Sequence, residues 1–193
     1  MHGPAMPGWL LVALCAASGA YCLLRARSCT GDERRSAGGE AVMGFGMAAM
    51  AVPAAVVPPP PWAWAGYAAV FGAAALWALH GLWAARARAS HGDTHHLHHL
   101  VGSLAMVYMA LTMAPGAAGG HAHQAGAGGV PLVTGALLVY FVVFVLRTGA
   151  RLVPVAAAAT PGGASLTWGA RPELALACRV SMAVAMVAML LTV

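Results

Sequence analysis

Six stretches of the chain run almost free of charge for long enough to cross a bilayer: 8–24, 41–57, 63–85, 97–114, 130–146 and 174–193. A transmembrane helix needs about 17–25 such residues. Polar or turn-forming segments separate them, notably Pro58–Pro61 and the Gly/Ala-rich 115–129 stretch. The pattern predicts an all-α, polytopic integral membrane protein, a single domain of six transmembrane helices over 1–193. The first span is expected to be retained, because Arg25 and Arg27 follow it, whereas a cleaved leader carries its positive charge in front.

Charge then orients the spans. Arg25, Arg27, Arg34 and Arg35 lie between spans one and two, Arg86 and Arg88 between three and four, and Arg147, Arg151 and Arg171 between five and six. The remaining connections carry no Arg, so the positive-inside rule predicts both termini outside, N-out/C-out. The chain is 61% hydrophobic and 8% charged, far from the quarter or so charged in soluble domains. Its ten basic residues are all Arg, which with the Ala, Gly and Pro excess points to a high-GC bacterium and a multi-pass protein of the plasma membrane. The arginines flank apolar spans and form no isolated basic domain, which speaks for a lipid bilayer as partner and against nucleic acid.

Within this frame nine of the eleven methionines form three helical stripes: Met43, Met47, Met50; Met106, Met109, Met113; and Met182, Met186, Met189. Three-or-four spacing puts each set on one helix face. Thioethers are soft ligands suited to Cu(I); methionine is also an ordinary filler of helix cores. The stripes fall on spans two, four and six, which share one direction, so these helices are expected to pack together with the stripes inward. Extended toward the cytoplasm, two stripes reach Glu40 and Arg179 at matching offsets. Charges inside a membrane need partners, so Glu40 and Arg179 are expected to form a structural ion pair, with His99 as a further neighbour.

The third stripe leads back to His99 and His95 in a run of histidines that also holds His91, His96 and His98. His95 and His99 are one helical turn apart, a spacing that lets imidazoles share a metal, and His80 on span three is expected at the same membrane face. An interfacial cluster of weakly basic groups is the plainer account. The external His121–Ala122–His123 segment reads as a solvated loop. Cys15 and Cys22 share one face of span one and read as packing thiols, while Cys178 adjoins the span-six stripe; no disulfide framework is expected. Phosphate-binding loops, nucleophile elbows and paired catalytic carboxylates are all missing from the sequence, so no catalytic residue is assigned and the chain reads as a binding or transfer protein rather than an enzyme.

The segments E-A-V-M-G-F-G-M-A-A-M-A-V-P, H-H-L-H-H-L-V-G-S-L-A-M-V-Y-M and C-R-V-S-M-A-V-A-M resemble an actinobacterial multi-spanning membrane family classed as a domain of unknown function. That resemblance covers essentially the whole chain and implies a bacterial membrane protein. The M-x-x-x-M spacing is also similar to the pore motif of eukaryotic copper importers, from which this chain departs in having six spans and no Met-rich tail. The leading expectation is Cu(I) binding, transfer or transport through a Met/His-lined bundle, with a copper-donating or copper-accepting protein as partner. A haem b or copper redox protein using His80 and His99, and a structural bundle without metal, are the alternatives.

Overall fold

The computed structural model describes residues 5–53, 56–87, 93–114, 129–158 and 172–192. They form six helices: α1 (Ala5–Ser28), α2 (Gly31–Met50), α3 (Pro61–Ala87), α4 (Asp93–Met113), α5 (Pro131–Ala158) and α6 (Pro172–Leu190). Four of them contain stretches long and apolar enough to cross a membrane: Met6–Ser28, Pro61–Ala84, Pro131–Ala150 and Glu173–Leu190. Large apolar side chains on these helices stay exposed, among them Leu10, Leu76, Leu132 and Leu146. Such surfaces suit lipid, and the protein is a membrane protein. On α3 the exposed Trp62 and Trp83 stand near opposite ends of the helix. Twenty-one residues at about 1.5 Å each separate them by roughly 31 Å, close to the thickness between the two aromatic belts of a bilayer.

α2 differs most from the sequence expectation. Residues 41–57 suggest a span there, yet the helix covers Gly31–Met50. Pro53 lacks the N–H that would continue the helix and disfavours helical geometry before it, so the chain turns out at Ala51, whose N–H still bonds to the Met47 carbonyl at 2.9 Å. At the other end nothing stops the helix until the reversal at Cys29–Thr30. Gly31 supplies the left-handed conformation of that turn, with φ of 60°. Asp32 and Glu33 then occupy the first turn, where carboxylates complement the helix dipole. The charged run 32–35, which reads as a loop, is therefore the opening of a helix. Likewise Arg25 and Arg27 belong to the last turn of α1, a favourable place for cations. The polar openings of α2 and α4 keep both out of the set of uninterrupted apolar helices.

The chain divides into two compact units: Met1–Val57 with Gly135–Leu191, and Pro58–Thr134 with Thr192–Val193. In the first, α1 and α2 form an antiparallel hairpin, and α6 contacts both. The hairpin seam consists of small buried residues, Cys15, Ser18, Gly19, Cys22 and Ala26 on α1 facing Ala37, Ala41, Gly44 and Ala48 on α2. Small side chains let helix backbones approach closely, which is the main source of helix association where lipid removes the hydrophobic drive. The approach is tightest where Gly44 crosses Gly19: a Cβ on Gly44 would lie 2.8 Å from the Gly19 Cα. α6 is tied in by Ser18, which reaches Ser181 Oγ at 3.0 Å while Ser181 donates to the Cys178 carbonyl at 2.9 Å.

The second unit is the hairpin of α3 and α4. Phe71, Ala75, Ala78 and Leu82, at heptad spacing, supply the buried face of α3; Ser103, Ala105, Met106, Met109 and Ala110 supply that of α4. The His96 ring rests on Gly81, where a Cβ would come within 2.9 Å of it. Tyr108 closes the other end through a 2.7 Å hydrogen bond with Thr134 Oγ1.

Candidate functional site

Glu40 is the most buried charged residue described, 4% exposed, midway along α2. Its position follows from the displaced register of that helix: with α2 starting at Gly31, residue 40 lies two and a half turns in rather than at the membrane edge. Three side chains from two other helices converge on its carboxylate. Arg179 of α6 donates from Nε to Oε1 at 2.7 Å. Cys22 of α1 donates from Sγ to Oε2 at 3.7 Å, and Arg25, one turn further along α1, places Nη1 3.9 Å from the same oxygen. One carboxylate between two guanidiniums leaves the cluster with a net charge of +1. The Cys178 thiol, next to Arg179 on α6, is close enough to Cys22 for the two thiols to influence one another. This corner of the unit therefore contains two neighbouring thiols, a carboxylate and two cations, contributed by α1, α2 and α6.

The methionine stripes begin one turn away. Met43 and Met47 on α2 and Met182, Met186 and Met189 on α6 are all buried, while Met50 is half-buried. On α6, Cys178, Met182, Met186 and Met189 follow one another at three-or-four spacing and line a single face. In the other unit Met106 and Met109 are fully buried and Met113 half-buried. Met47, Met106, Met109 and Met186 are among the largest fully buried side chains of the protein.

His80 is exposed on α3, His99 is half-buried on α4, and the side chain of His95 lies outside the described residues, as do His91, His121 and His123. His99 and the Glu40 cluster belong to different units. Among the described residues, no three His, Cys, Asp or Glu side chains come together in a group able to hold a metal ion.

Sequence reasoning missed Cys22, Arg25 and the Ser18–Ser181 contact. A signal for the first two is present in retrospect: Cys15, Ser18, Gly19, Cys22 and Ala26 form a small-residue stripe on α1, the mark of a helix that packs closely. Arg25 extends the same side of the helix and so is drawn toward the seam.

Residues 32–193 match the model of a domain of unknown function, DUF5134, and the chain belongs to that family. Glu40, Cys178, Arg179 and all nine stripe methionines fall inside the matched residues, whereas Cys22 and Arg25 precede them. No curated protein and no solved structure matches the chain.

Proposed function

We propose that this DUF5134 protein is a six-span protein of the bacterial plasma membrane that binds Cu(I) through sulfur and exchanges it with a partner protein. The observation that carries this reading is the burial of five stripe thioethers within the same unit as the free thiols of Cys22 and Cys178. Thiolates and thioethers are the ligand types that select Cu(I) over harder cations. Leu, Val and Ala are abundant in the chain and would fill the same space, so the concentration of sulfur calls for a chemical explanation. Thiol ligation releases protons, and Glu40, already accepting from Cys22, is placed to receive one.

For the topology, α2 and α4 have 20 and 21 residues, about 30 Å of helix at 1.5 Å per residue. That length is close to the roughly 30 Å hydrocarbon core of a bilayer, which supports counting α2 and α4 as spans alongside the four apolar helices. The arginine distribution supports the N-out/C-out arrangement.

The test is competition against a Cu(I) chelator under reducing conditions, using the full chain in detergent. Replacing Met47, Met182 and Met186 together by Leu nearly conserves volume, and such swaps cost under about 1.5 kcal/mol each, so the fold should persist. Cu(I) affinity is expected to fall at least tenfold, and further when Cys22→Ser is added. Wild-type stoichiometry and affinity in the triple variant would show that the stripes serve packing alone.

A further inference from the structure

Beside the Glu40 cluster, α1 carries two polar groups that the copper reading does not use. Glu40 offers two carboxylate oxygens: Oε1 accepts from Arg179 and Oε2 from Cys22. Arg25 Nη1 is close enough to Oε2 for an ion pair, at 3.9 Å, but too far for a hydrogen bond. That nitrogen is buried and has no hydrogen-bond partner, and the same holds for Tyr21 Oη, one turn earlier on α1. Tyr21 is within electrostatic range of Arg25, Cys22 and Cys178. Two strong donors on one face of one helix thus stand without acceptors, next to a cluster that carries one excess positive charge. Leaving such donors unmet is costly, and more so for a charged group.

We propose that Tyr21 and Arg25 bind a phosphate group, with Arg179 contributing to the positive field. A phosphodiester carries one negative charge, which brings the cluster of Glu40, Arg25 and Arg179 to neutrality, and its oxygens supply acceptors for both orphan donors at once. Arginine is suited to this because its guanidinium presents parallel N–H groups to phosphate oxygens. Arg25 is in the last turn of α1, near the end of a helix apolar enough to span a membrane, so a lipid phosphate would have to reach inward from the headgroup layer by about one to two turns. The phosphate group can come from an anionic phospholipid or from free phosphate, and the two sources are separable by experiment.

The full chain purified in a neutral detergent is titrated with phosphatidylglycerol, with inorganic phosphate and with phosphatidylcholine as the zwitterionic control, following thermal midpoint and saturable binding. Tyr21→Phe removes only the hydroxyl and leaves packing intact; Arg25→Gln removes the charge. A midpoint rise with phosphatidylglycerol that phosphatidylcholine does not reproduce, and an affinity about tenfold weaker in Tyr21→Phe, establish the site with a lipid source. The same pattern with inorganic phosphate establishes it with a free one. If neither probe exceeds the control, or if Tyr21→Phe binds as wild type does, the donors are satisfied by water and the proposal is overturned. Copper affinity is measured on the same samples, so that loss of one site is distinguishable from loss of the other.

Discussion

The crossing of Gly44 over Gly19 makes a demanding test of the hairpin seam. Replacing Gly44 by Ala adds one Cβ, which would lie 2.8 Å from Gly19 Cα, 3.0 Å from Gly19 N and 3.1 Å from Cys15 O. Carbon atoms in contact normally sit about 3.5–4.0 Å apart, and all three neighbours are backbone. No rotamer change relieves the clash, so α1 and α2 must separate by several tenths of an ångström. Overpacking of this kind costs about 1–3 kcal/mol, whereas Ala in place of Gly in a helix gains up to about 1 kcal/mol. The net expectation is a loss of about 1–2 kcal/mol.

Gly38, on the same helix, has nothing within 4 Å of its would-be Cβ, so Gly38→Ala keeps the propensity gain without the clash. The two variants should therefore differ by about 2 kcal/mol in opposite directions around wild type. For a protein of this size, 1 kcal/mol moves a thermal midpoint by about 2–4 °C, so unfolding in one detergent should separate them by roughly 5 °C. If Gly44→Ala equals or exceeds Gly38→Ala in stability, the seam is not packed as described and the register that places Cys22 beside Glu40 loses its support.

Two further substitutions probe the charged corner and its tie to α6. Arg179→Leu removes the 2.7 Å partner of Glu40 and should lower stability by about 2 kcal/mol, below the 3–5 kcal/mol typical of breaking a fully buried pair, because Arg25 remains at 3.9 Å and Arg179 is partly exposed; Arg179→Lys should recover part of the loss, and equal midpoints for wild type and Arg179→Leu would contradict the pairing. Ser181→Ala deletes the acceptor of the 3.0 Å bond from Ser18 and should cost only about 0.6 kcal/mol, the usual size of an interhelical hydrogen bond in membranes; a loss several times larger would mean that the hydroxyl pair organises more of the unit than one contact.

The sequence made the number and type of helices readable because apolar length is a strong signal, and charge at their ends is a second one. It misplaced α2 for a physical reason. Hydropathy follows composition, and Asp32–Arg35 is as polar as any loop, while 51–57 is as apolar as any span. Which of the two is helical was decided by the backbone: Pro53 ends the helix, and nothing before residue 40 interrupts it. The same limit applies to the histidines. Their i, i+4 spacing is compatible with metal ligation, but spacing does not say which ring meets the facing helix: it is His96 that rests on Gly81 of α3, while His80 is exposed. Glu40 and Arg179 were easier, since an acid and a base at matched depth in an apolar setting have few other partners.

Cys22 and Arg25 required knowing the register of α1 against α2, and that register is set by the glycines. Gly44 and Glu40 are four residues apart on α2, while Gly19 and Cys22 are three apart on α1. In an antiparallel pair these steps run in the same direction from the crossing point, by about 6 Å of helix rise on α2 and about 4.5 Å on α1. Fixing Gly19 against Gly44 therefore brings the Cys22 thiol to the Glu40 carboxylate, and one further turn brings Arg25 to it. The chemistry of the corner is thus a consequence of two missing side chains one turn away. Widening the crossing should loosen the charged cluster before it unfolds the hairpin, since a hydrogen bond from sulfur at 3.7 Å and an ion pair at 3.9 Å have little room to lengthen and still hold.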